Sequence, residues 1–540
     1  MSFDADVLVV GAGPVGLVGA LALAMNGVKV RIVEKLPVPA IGQRGAGMQP
    51  RTMETYRALG IVDEVKATGI VVPNVQTYDF EGNPKEVVPM MDWGEKTPGV
   101  PKPEAWLIGQ DWICKIVSRN LKERFGVEVE FGNELVSIDQ DASGATATVR
   151  VDGVLKEIRV KYVIGTDGGK GITRKLAGAN MVSKSDAEAR SVIGELVLKG
   201  FNPDTENIHQ FLDAKGNCLM IRPVHEDPGL FSIFGYDPDL DTARAAKDVD
   251  YLLQWIRAIM RHKDITIESV SSLAEWRLNV RICEKFQAGR ILLAGDVAHL
   301  HSPTGGQGLT SGVMDVRNLS WKVALACKGL ASPTLLDSYS EERVPVIAEM
   351  LKITTQFAEA TFKANPDPDA FKRPAFLGQL GVHYRWSPIV YDGLRAGEAK
   401  FGSTNLAPSS TYGGGEGSRL EAGDRAPDAP GLVGPNGETA LFDIFNVARH
   451  TVLIFSLAQA ATVRAAVGRY PEGHIDVVVL LPRGVEQQED YLVDSQGHAF
   501  QGYGVEAGVA VAIVRPDGVV GALLKAGESV DVYFSLIFAL

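Results

Sequence analysis

The chain has 540 residues, 45% hydrophobic and 22% charged, the composition of a soluble globular protein of about three or four domains. A formal net charge of −12 disfavours nucleic acid and anionic membrane as partners. Four widely spaced cysteines (Cys114, Cys218, Cys283 and Cys327) fit no disulfide framework or zinc pattern and point to a reducing compartment, the cytoplasm, and nine histidines form no HExxH-type set, so no metal is expected.

Residues 7–10, Val-Leu-Val-Val, read as a strand entering Gly11-Ala-Gly13-Pro-Val-Gly16, after which a helix-like run reaches Met25. In such a unit Gly11 makes the tight turn, Gly13 lets backbone approach a pyrophosphate, and Gly16 lets helix and strand pack closely. The helix N-terminus offers free N–H groups and positive dipole to the phosphates. A second strand, residues 28–33, ends at Glu34, whose carboxylate can accept both ribose hydroxyls and repels a 2′-phosphate. The site suits the AMP half of FAD or NAD, not NADP. Residues 7–28 carry no charge, but their glycines, Pro14 and the preceding Asp4 and Asp6 argue against a membrane span or signal peptide.

Residues 75–105 are proline-rich and read as irregular, and residues 110–124 as a helix. Residues 127–131, 145–151 and 156–163 alternate like antiparallel strands. Between 180 and 285 lie strand-like runs at 191–198, 219–223 and 230–236 and an amphipathic helix near 249–260, the makings of a second, sheet-based domain for substrate. Residues 291–294 read as a buried strand, 308–327 as a helix stopped by Gly329, and 340–362 as a long helix. Residues 401–418, with Gly413-Gly414-Gly415, read as a linker. Beyond it, strands at 451–455, 475–481 and 508–514 and a helix near 457–467 suggest an independent small α/β domain.

Three motifs lie in order: the glycine fingerprint with Glu34; Tyr162-Val-Ile-Gly-Thr-Asp167-Gly168-Gly-Lys-Gly-Ile-Thr-Arg174; and Gly289-Arg290-Ile-Leu-Leu-Ala-Gly295-Asp296-Val-Ala-His299, continuing to Pro303-Thr-Gly305-Gly306-Gln307-Gly308 and on through Asp315, Asn318, Leu319, Trp321 and Lys322. In the third, a glycine-rich loop opens a helix whose positive end favours an anion, and reduced flavin carries negative charge at its N1–C2=O edge. Asp296 ends a buried strand, as suits a carboxylate that bonds a sugar chain such as ribitol. The set resembles the single-component FAD-dependent aromatic hydroxylases, the family of para-hydroxybenzoate hydroxylase and phenol hydroxylase, over about residues 1–400. In the tail, Ala422-Gly-Asp-Arg-Ala-Pro427, Leu441-Phe-Asp and Val514-Arg-Pro-Asp-Gly518 resemble the thioredoxin-like C-terminal domain of the phenol hydroxylase branch.

The resemblance implies an α/β fold in which a Rossmann-like FAD-binding domain (residues 1–75, 105–180 and 286–365) is interleaved with a β-sheet substrate domain (76–104 and 181–285). A helical segment (366–400), a linker (401–419) and a thioredoxin-like α/β domain (420–540) would follow. FAD would be held by Gly11, Gly13, Gly16, Glu34, Lys35, Arg44, Gln110, Asp167, Gly295, Asp296, Gly306, Gln307, Gly308 and Leu309. The second motif serves FAD and the NADPH pyrophosphate in the family, and here Gly171 stands where a serine is usual. No second βαβ fingerprint is present, so NADPH (or NADH) would bind as co-substrate without a domain of its own. The family's tail domain serves dimer contacts in relatives, which admits a homodimer.

In the family, NADPH reduces the flavin, O2 adds to give a C4a-hydroperoxyflavin, and an electron-rich ring, usually a phenolate, attacks the distal oxygen. Water must be excluded. The backbone around Pro303 is the expected reaction locus. A group that draws off the phenolic proton would raise ring nucleophilicity. Phenol hydroxylase-like enzymes carry an aspartate shortly before the pair matching Arg51-Thr52, and alignment puts Ala46 there. His209, His225, Tyr236 and Arg281 are the candidate replacements. The seven tryptophans lack the Trp-x-Trp-x-Ile-Pro element of flavin halogenases. Baeyer–Villiger oxygenation, a flavin-dependent dehydrogenase or oxidase, and a non-catalytic flavin-binding module are the alternatives.

Overall fold

The computed structural model describes residues 2–43, 45–183, 190–277, 279–302, 305–361, 373–402, 410–413, 419–486 and 490–539. Its nucleotide sheet is built on β1 (Ala5–Val10), β2 (Val30–Glu34), β3 (Val154–Gly165) and β4 (Ile291–Leu293), all parallel, with β1 between β2 and β3 and β4 beyond β3. Residues 7–10, 162–165 and 291–293, the stretches of β1, β3 and β4 that pair in the middle of the sheet, are almost wholly apolar and buried, as a sheet covered on both faces requires. Helix α1 (Pro14–Met25) follows the glycine turn, and α2 (Pro50–Ala58), α3 (Gln110–Phe125), α4 (Gln307–Cys327) and α5 (Asp337–Thr361) complete the nucleotide unit. Gly126, in the left-handed region at φ +68°, ends α3.

One pairing differs from expectation. The strand Val129–Phe131 runs parallel to β2 at the sheet edge, and Ala145–Val151, antiparallel to β3 on one side, has Asn133–Gln140 as its antiparallel partner on the other. That strand, Asn-Glu-Leu-Val-Ser-Ile-Asp-Gln, is half exposed and its polar ends mask the alternation.

The second sheet has seven strands in the order Thr266–Arg277, Arg190–Lys199, Leu230–Tyr236, Cys218–Pro223, Ile208–Leu212, Val75–Tyr78 and Pro84–Val88. The last two come from the proline-rich stretch read as irregular. Pro84 sits on the edge strand, where a missing N–H costs no ladder bond. Helix Val249–Met260 covers one face, packing Leu252, Ile256 and Met260 on Val192, Leu196, Ile221 and Ile233. Successive side chains alternate across the sheet, so Glu195 and Arg222 turn the other way, toward the nucleotide unit.

The C-terminal sheet has eight strands and includes Tyr391–Asp392, which lies parallel to Val520–Leu524. This corrects two expectations. The described part of the segment expected to be helical, 373–400, holds two 3-10 turns and that strand but no α-helix. Pro374, Pro388 and glycines at 378, 381, 393 and 397 interrupt it. The segment 401–419, expected to link two units, lies largely outside the described residues, but both its ends contact the same strand: Phe401 bridges Tyr391, and Arg419 pairs with Asp392 at 3.1 Å. Among the described residues no helix is long and apolar enough to cross a membrane, no group of side chains could hold a metal ion, and the four cysteines are free thiols.

Candidate functional site

The glycine turn forms an open cradle. Gly11 has φ +100°, and a Cβ there would lie 2.7 Å from the Thr166 carbonyl oxygen. A Cβ on Gly16 would lie 2.1 Å from the Gly11 carbonyl oxygen, whereas one on Gly13 would meet nothing within 4 Å. The space beside Gly13 fronts the N-terminus of α1, which has no side-chain cap and no acid in its first turn. Glu34 is fixed at this turn: one carboxylate oxygen accepts the Ala12 N–H and the other the Leu36 N–H, both at 2.9 Å. Each oxygen keeps a further lone pair for a ribose hydroxyl. Lys35 beside it is exposed. An open cradle, helix N–H groups without a side-chain cap and an oriented carboxylate fit the adenosine diphosphate half of FAD.

The Gly295-Asp296 turn meets the same helix. A Cβ on Gly312 of α4 would lie 2.5 Å from Val15 Cγ2 and 3.1 Å from Gly295 Cα, so α1, the turn and α4 touch through glycines. Asp296 is accessible in this cleft, yet the protein around it raises its carboxyl above the ordinary range, a tendency His299 opposes. Gly306 caps α4 in a left-handed conformation, without a side-chain cap or a first-turn acid, so the N–H groups around Gly308 and Leu309 face the cleft unpaired by the helix. The Gln307 side chain is buried and committed: it donates to the Gly305 and Leu377 carbonyls at 2.8 and 3.0 Å and accepts from Gln379 at 2.7 Å. Only its backbone remains for a cofactor. Gly45 brings the other expected contacts together, since a Cβ on it would lie 3.8 Å from Leu309 Cβ and 4.0 Å from Gln110 Oε1. Arg44 and Pro303 lie outside the described residues.

Asp167 sits differently from a simple cofactor ligand. Its Oδ2 accepts the Thr173 N–H at 2.9 Å, and its Oδ1 is buried without a partner. Burial raises its carboxyl above the ordinary range. A Cβ on Gly171 would lie 2.2 Å from Asp167 Cγ. The glycine in place of the usual serine therefore makes the room this carboxyl occupies.

The seven-stranded sheet closes on the cleft through residues that sequence reasoning missed. The Gln43 N–H donates to Glu195 Oε1 at 2.6 Å, and Arg222 donates to Gln43 Oε1 at 3.0 Å. The Gly109 N–H donates to Glu226 Oε1 at 2.6 Å. The available signal was Glu195, a lone acid inside the apolar run Ser-Val-Ile-Gly-Glu-Leu-Val-Leu.

The four candidate bases are not brought together. His209 lies on the helix-covered face of the sheet with both ring nitrogens occupied, by the Tyr78 hydroxyl and the Asp204 carbonyl, each at 2.9 Å. Burial lowers its pKa. That imidazole ties strands together. His225 is exposed in a hairpin turn. Tyr236 is buried opposite Cys218, and burial raises its phenol. Arg281 is exposed but lies on the strand paired with His299–Leu300, at the flank of the site. Ala46 is buried, its carbonyl accepting the Ile108 N–H at 3.0 Å.

Behind the turn lies a buried charge chain. His299 Nε2 is 2.5 Å from Asp315 Oδ2, which also accepts the Gly295 N–H at 3.0 Å, and Arg343 Nε donates to Asp315 Oδ1 at 2.8 Å. Burial works to raise the Asp315 carboxyl, but His299 and Arg343 outweigh it and hold it below the ordinary range.

Known proteins share this architecture. The sequence model of the FAD binding domain family matches residues 4–354. A flavin-dependent monooxygenase of Mycobacteroides abscessus is 29% identical, with 98% of this chain and 99% of the relative covered. Pentachlorophenol 4-monooxygenase of Sphingobium chlorophenolicum is 28% identical over 96% of this chain and 94% of its own. The crystal structure of the flavin-dependent monooxygenase PieE, in complex with FAD and substrate, superposes with a TM-score of 0.81 at 21% identity, covering 99% of both chains, a likeness of fold.

Proposed function

This chain belongs to the FAD-binding domain family and is a flavoprotein monooxygenase; we propose that it is an NADPH-dependent aromatic hydroxylase whose substrate is a phenol or a comparably electron-rich ring. The observation that carries the reading is the pair of uncapped helix N-termini, of α1 and α4, meeting at the Val15–Gly295–Gly312 contact under a sheet clamped down by Gln43, Glu195 and Arg222. The relative named for pentachlorophenol supports a phenolic substrate.

In this reading Gly11, Gly13 and Gly16 shape the turn for the pyrophosphate, and Glu34 takes the ribose. Asp296 bonds the ribityl chain. The backbone of Gly306, Gln307, Gly308 and Leu309 stabilises negative charge on the ring, Lys35, Gln110 and Asp167 line the edges, and Arg44 is a further expected contact from the sequence. When bound, FAD supplies the redox chemistry, taking hydride from NADPH and activating O2 toward the ring. The chain's own task is to orient the ring near Pro303, exclude water and remove a proton. Residues 1–75, 105–180 and 286–365 form the FAD-binding unit, and residues 76–104 and 181–285 the substrate unit. The tail has a thioredoxin-like fold without thiols.

The test is a panel of phenols scored for stimulated NADPH consumption, with product mass under labelled O2. NADPH oxidation is slow alone and rises sharply with the right phenol, and one labelled oxygen enters the product. Insertion of oxygen beside a ketone identifies a Baeyer–Villiger enzyme instead. Hydride transfer without label across the panel leaves a dehydrogenase or oxidase.

A further inference from the structure

A phenol hydroxylase needs an acceptor for the phenolic proton, and Ala46 supplies none. The chain behind the Gly295 turn ends in one that sequence reasoning did not consider. His301 Nε2 lies 2.8 Å from His299 Nδ1, and His299 Nε2 lies against Asp315 at 2.5 Å. Asp315 is anchored by Arg343, which also donates to the Tyr384 hydroxyl at 3.0 Å and the Ser311 carbonyl at 3.1 Å. The remaining ring nitrogen, His301 Nδ1, is buried and has no partner. A Cβ on Gly308 would lie 3.9 Å from His301 Cβ, so His301 leaves the backbone beside the first turn of α4.

Two imidazoles in series hold their protons in a defined order. With His299 neutral, its Nε2–H donates to Asp315 and its Nδ1 accepts the His301 Nε2–H. His301 Nδ1 is then a bare acceptor. A proton arriving there moves the His301 Nε2 proton to His299 Nδ1, and the positive charge comes to rest on His299 beside the Asp315 carboxylate. We propose that His301 and His299 form a two-imidazole relay, anchored on Asp315, that receives the hydroxyl proton of the substrate directly or through one bridging water. The phenol O–H bond breaks as the N–H bond at His301 Nδ1 forms, and His301 Nε2–H breaks as His299 Nδ1–H forms. No electrons change owner, and the proton leaves by the reverse path.

The groups facing the pair are Asp315 on α4, Arg343 and Tyr339 on α5, Asp296 on the turn, and Tyr384 beyond Arg343. Burial holds the His301 ring well below the ordinary histidine range, so it is unprotonated when substrate arrives. The inference rests on the phenol reading above.

The experiment uses the FAD-loaded full chain and 4-nitrophenol, whose phenolate absorbs visible light. The bound phenol is titrated with pH in wild type, His301→Gln and His299→Asn, with circular dichroism and retained FAD as controls for folding. The relay predicts that wild type ionises the phenol at least about tenfold more readily, about one pH unit lower, than either variant. An unchanged profile in His301→Gln overturns the relay, and so does a shift in His301→Gln that His299→Asn fails to share. Histidine nitrogen NMR on wild type gives an answer independent of the variants. On phenol binding the His301 Nδ1 signal moves from a bare to a protonated nitrogen, and an unmoved signal overturns the proposal. Failure of wild type to bind any phenol overturns the underlying reading and the relay with it. Binding with no change at His301 overturns the relay alone.

Discussion

Asp517 Oδ2 accepts the indole N–H of Trp321 at 3.3 Å, joining the C-terminal sheet to the middle of α4. The same carboxylate accepts from Asn318 at 3.3 Å and from Arg515. Arg515 also donates to both oxygens of Glu342, at 2.6 and 2.9 Å, and Lys322 Nζ lies 2.7 Å from Glu342 Oε2. All these side chains are buried. Two cations and two anions thus balance at the interface, and α4 is gripped from behind while its N-terminus faces the cleft.

Breaking a buried pair on one side leaves an uncompensated charge, at a cost of about 3–5 kcal/mol. Asp517→Ala is therefore expected to destabilise the whole chain by that order, with FAD loss accompanying unfolding. Truncation near residue 405 removes Arg515 and Asp517 together and leaves the Glu342–Lys322 pair without the tail that covers it, so the remainder is expected to be less stable. Denaturant titration followed by flavin fluorescence checks both. A truncated chain with the full-length midpoint would show that the tail is independent after all.

Asp296→Ala is expected to lose FAD while the fold survives. A charged hydrogen bond contributes about 1.5–3 kcal/mol, which translates into roughly 10- to 100-fold weaker binding. Flavin retained on desalting at wild-type occupancy would remove Asp296 from the site.

The elements with strong periodicity were legible. The sequence places a helix at 249–260 and strands at 230–236 and 475–481, where the structure has them. The glycine turn and Gly295-Asp296 were legible because their residue types follow from backbone geometry that the structure repeats. Strands in polar or proline-rich sequence were not: Pro84–Val88 and Asn133–Gln140 are specified by their partners, with little apolar alternation of their own. The ion cluster escaped because each member reads alone as a solvated charge. Lys322 and Arg515 lie 193 positions apart and meet only through Glu342. His301 escaped for a related reason, since a histidine two residues from another shows nothing of the carboxylate behind it.

The tail is expected to be redox-inert. No cysteine follows Cys327. Burial pushes Cys114, Cys218 and Cys327 up to about 12 and Cys283 up to about 11, so thiolate is scarce at neutral pH. A disulfide reductase assay on the full chain should read zero, and measurable turnover would contradict this account.

His450 ties acid stability to the interface. Its ring stands edge-on to Trp321 at 5.3 Å and packs among Tyr533, Phe534 and Phe538, and its Nε2 has no partner. Burial, reinforced by Arg515, pushes its pKa down to about 3. An unfolded histidine titrates near 6.5, so between about 6.5 and 3 the unfolded chain binds a proton that the folded chain refuses. Stability therefore falls as pH drops through that window, by up to about 1.4 kcal/mol per pH unit and on the order of 5 kcal/mol in all. His209, His383 and His474 are also lowered by burial and add to the slope, so the contribution of His450 is read as a difference. His450→Phe keeps an aromatic ring in the pocket and removes the titration. Unfolding midpoints of wild type and His450→Phe, compared from pH 7 to pH 5, should diverge in favour of the variant as the solution becomes more acidic. Parallel lines would mean that His450 reaches a proton through an opening of the interface, and that the tail is less firmly docked than its ion cluster implies.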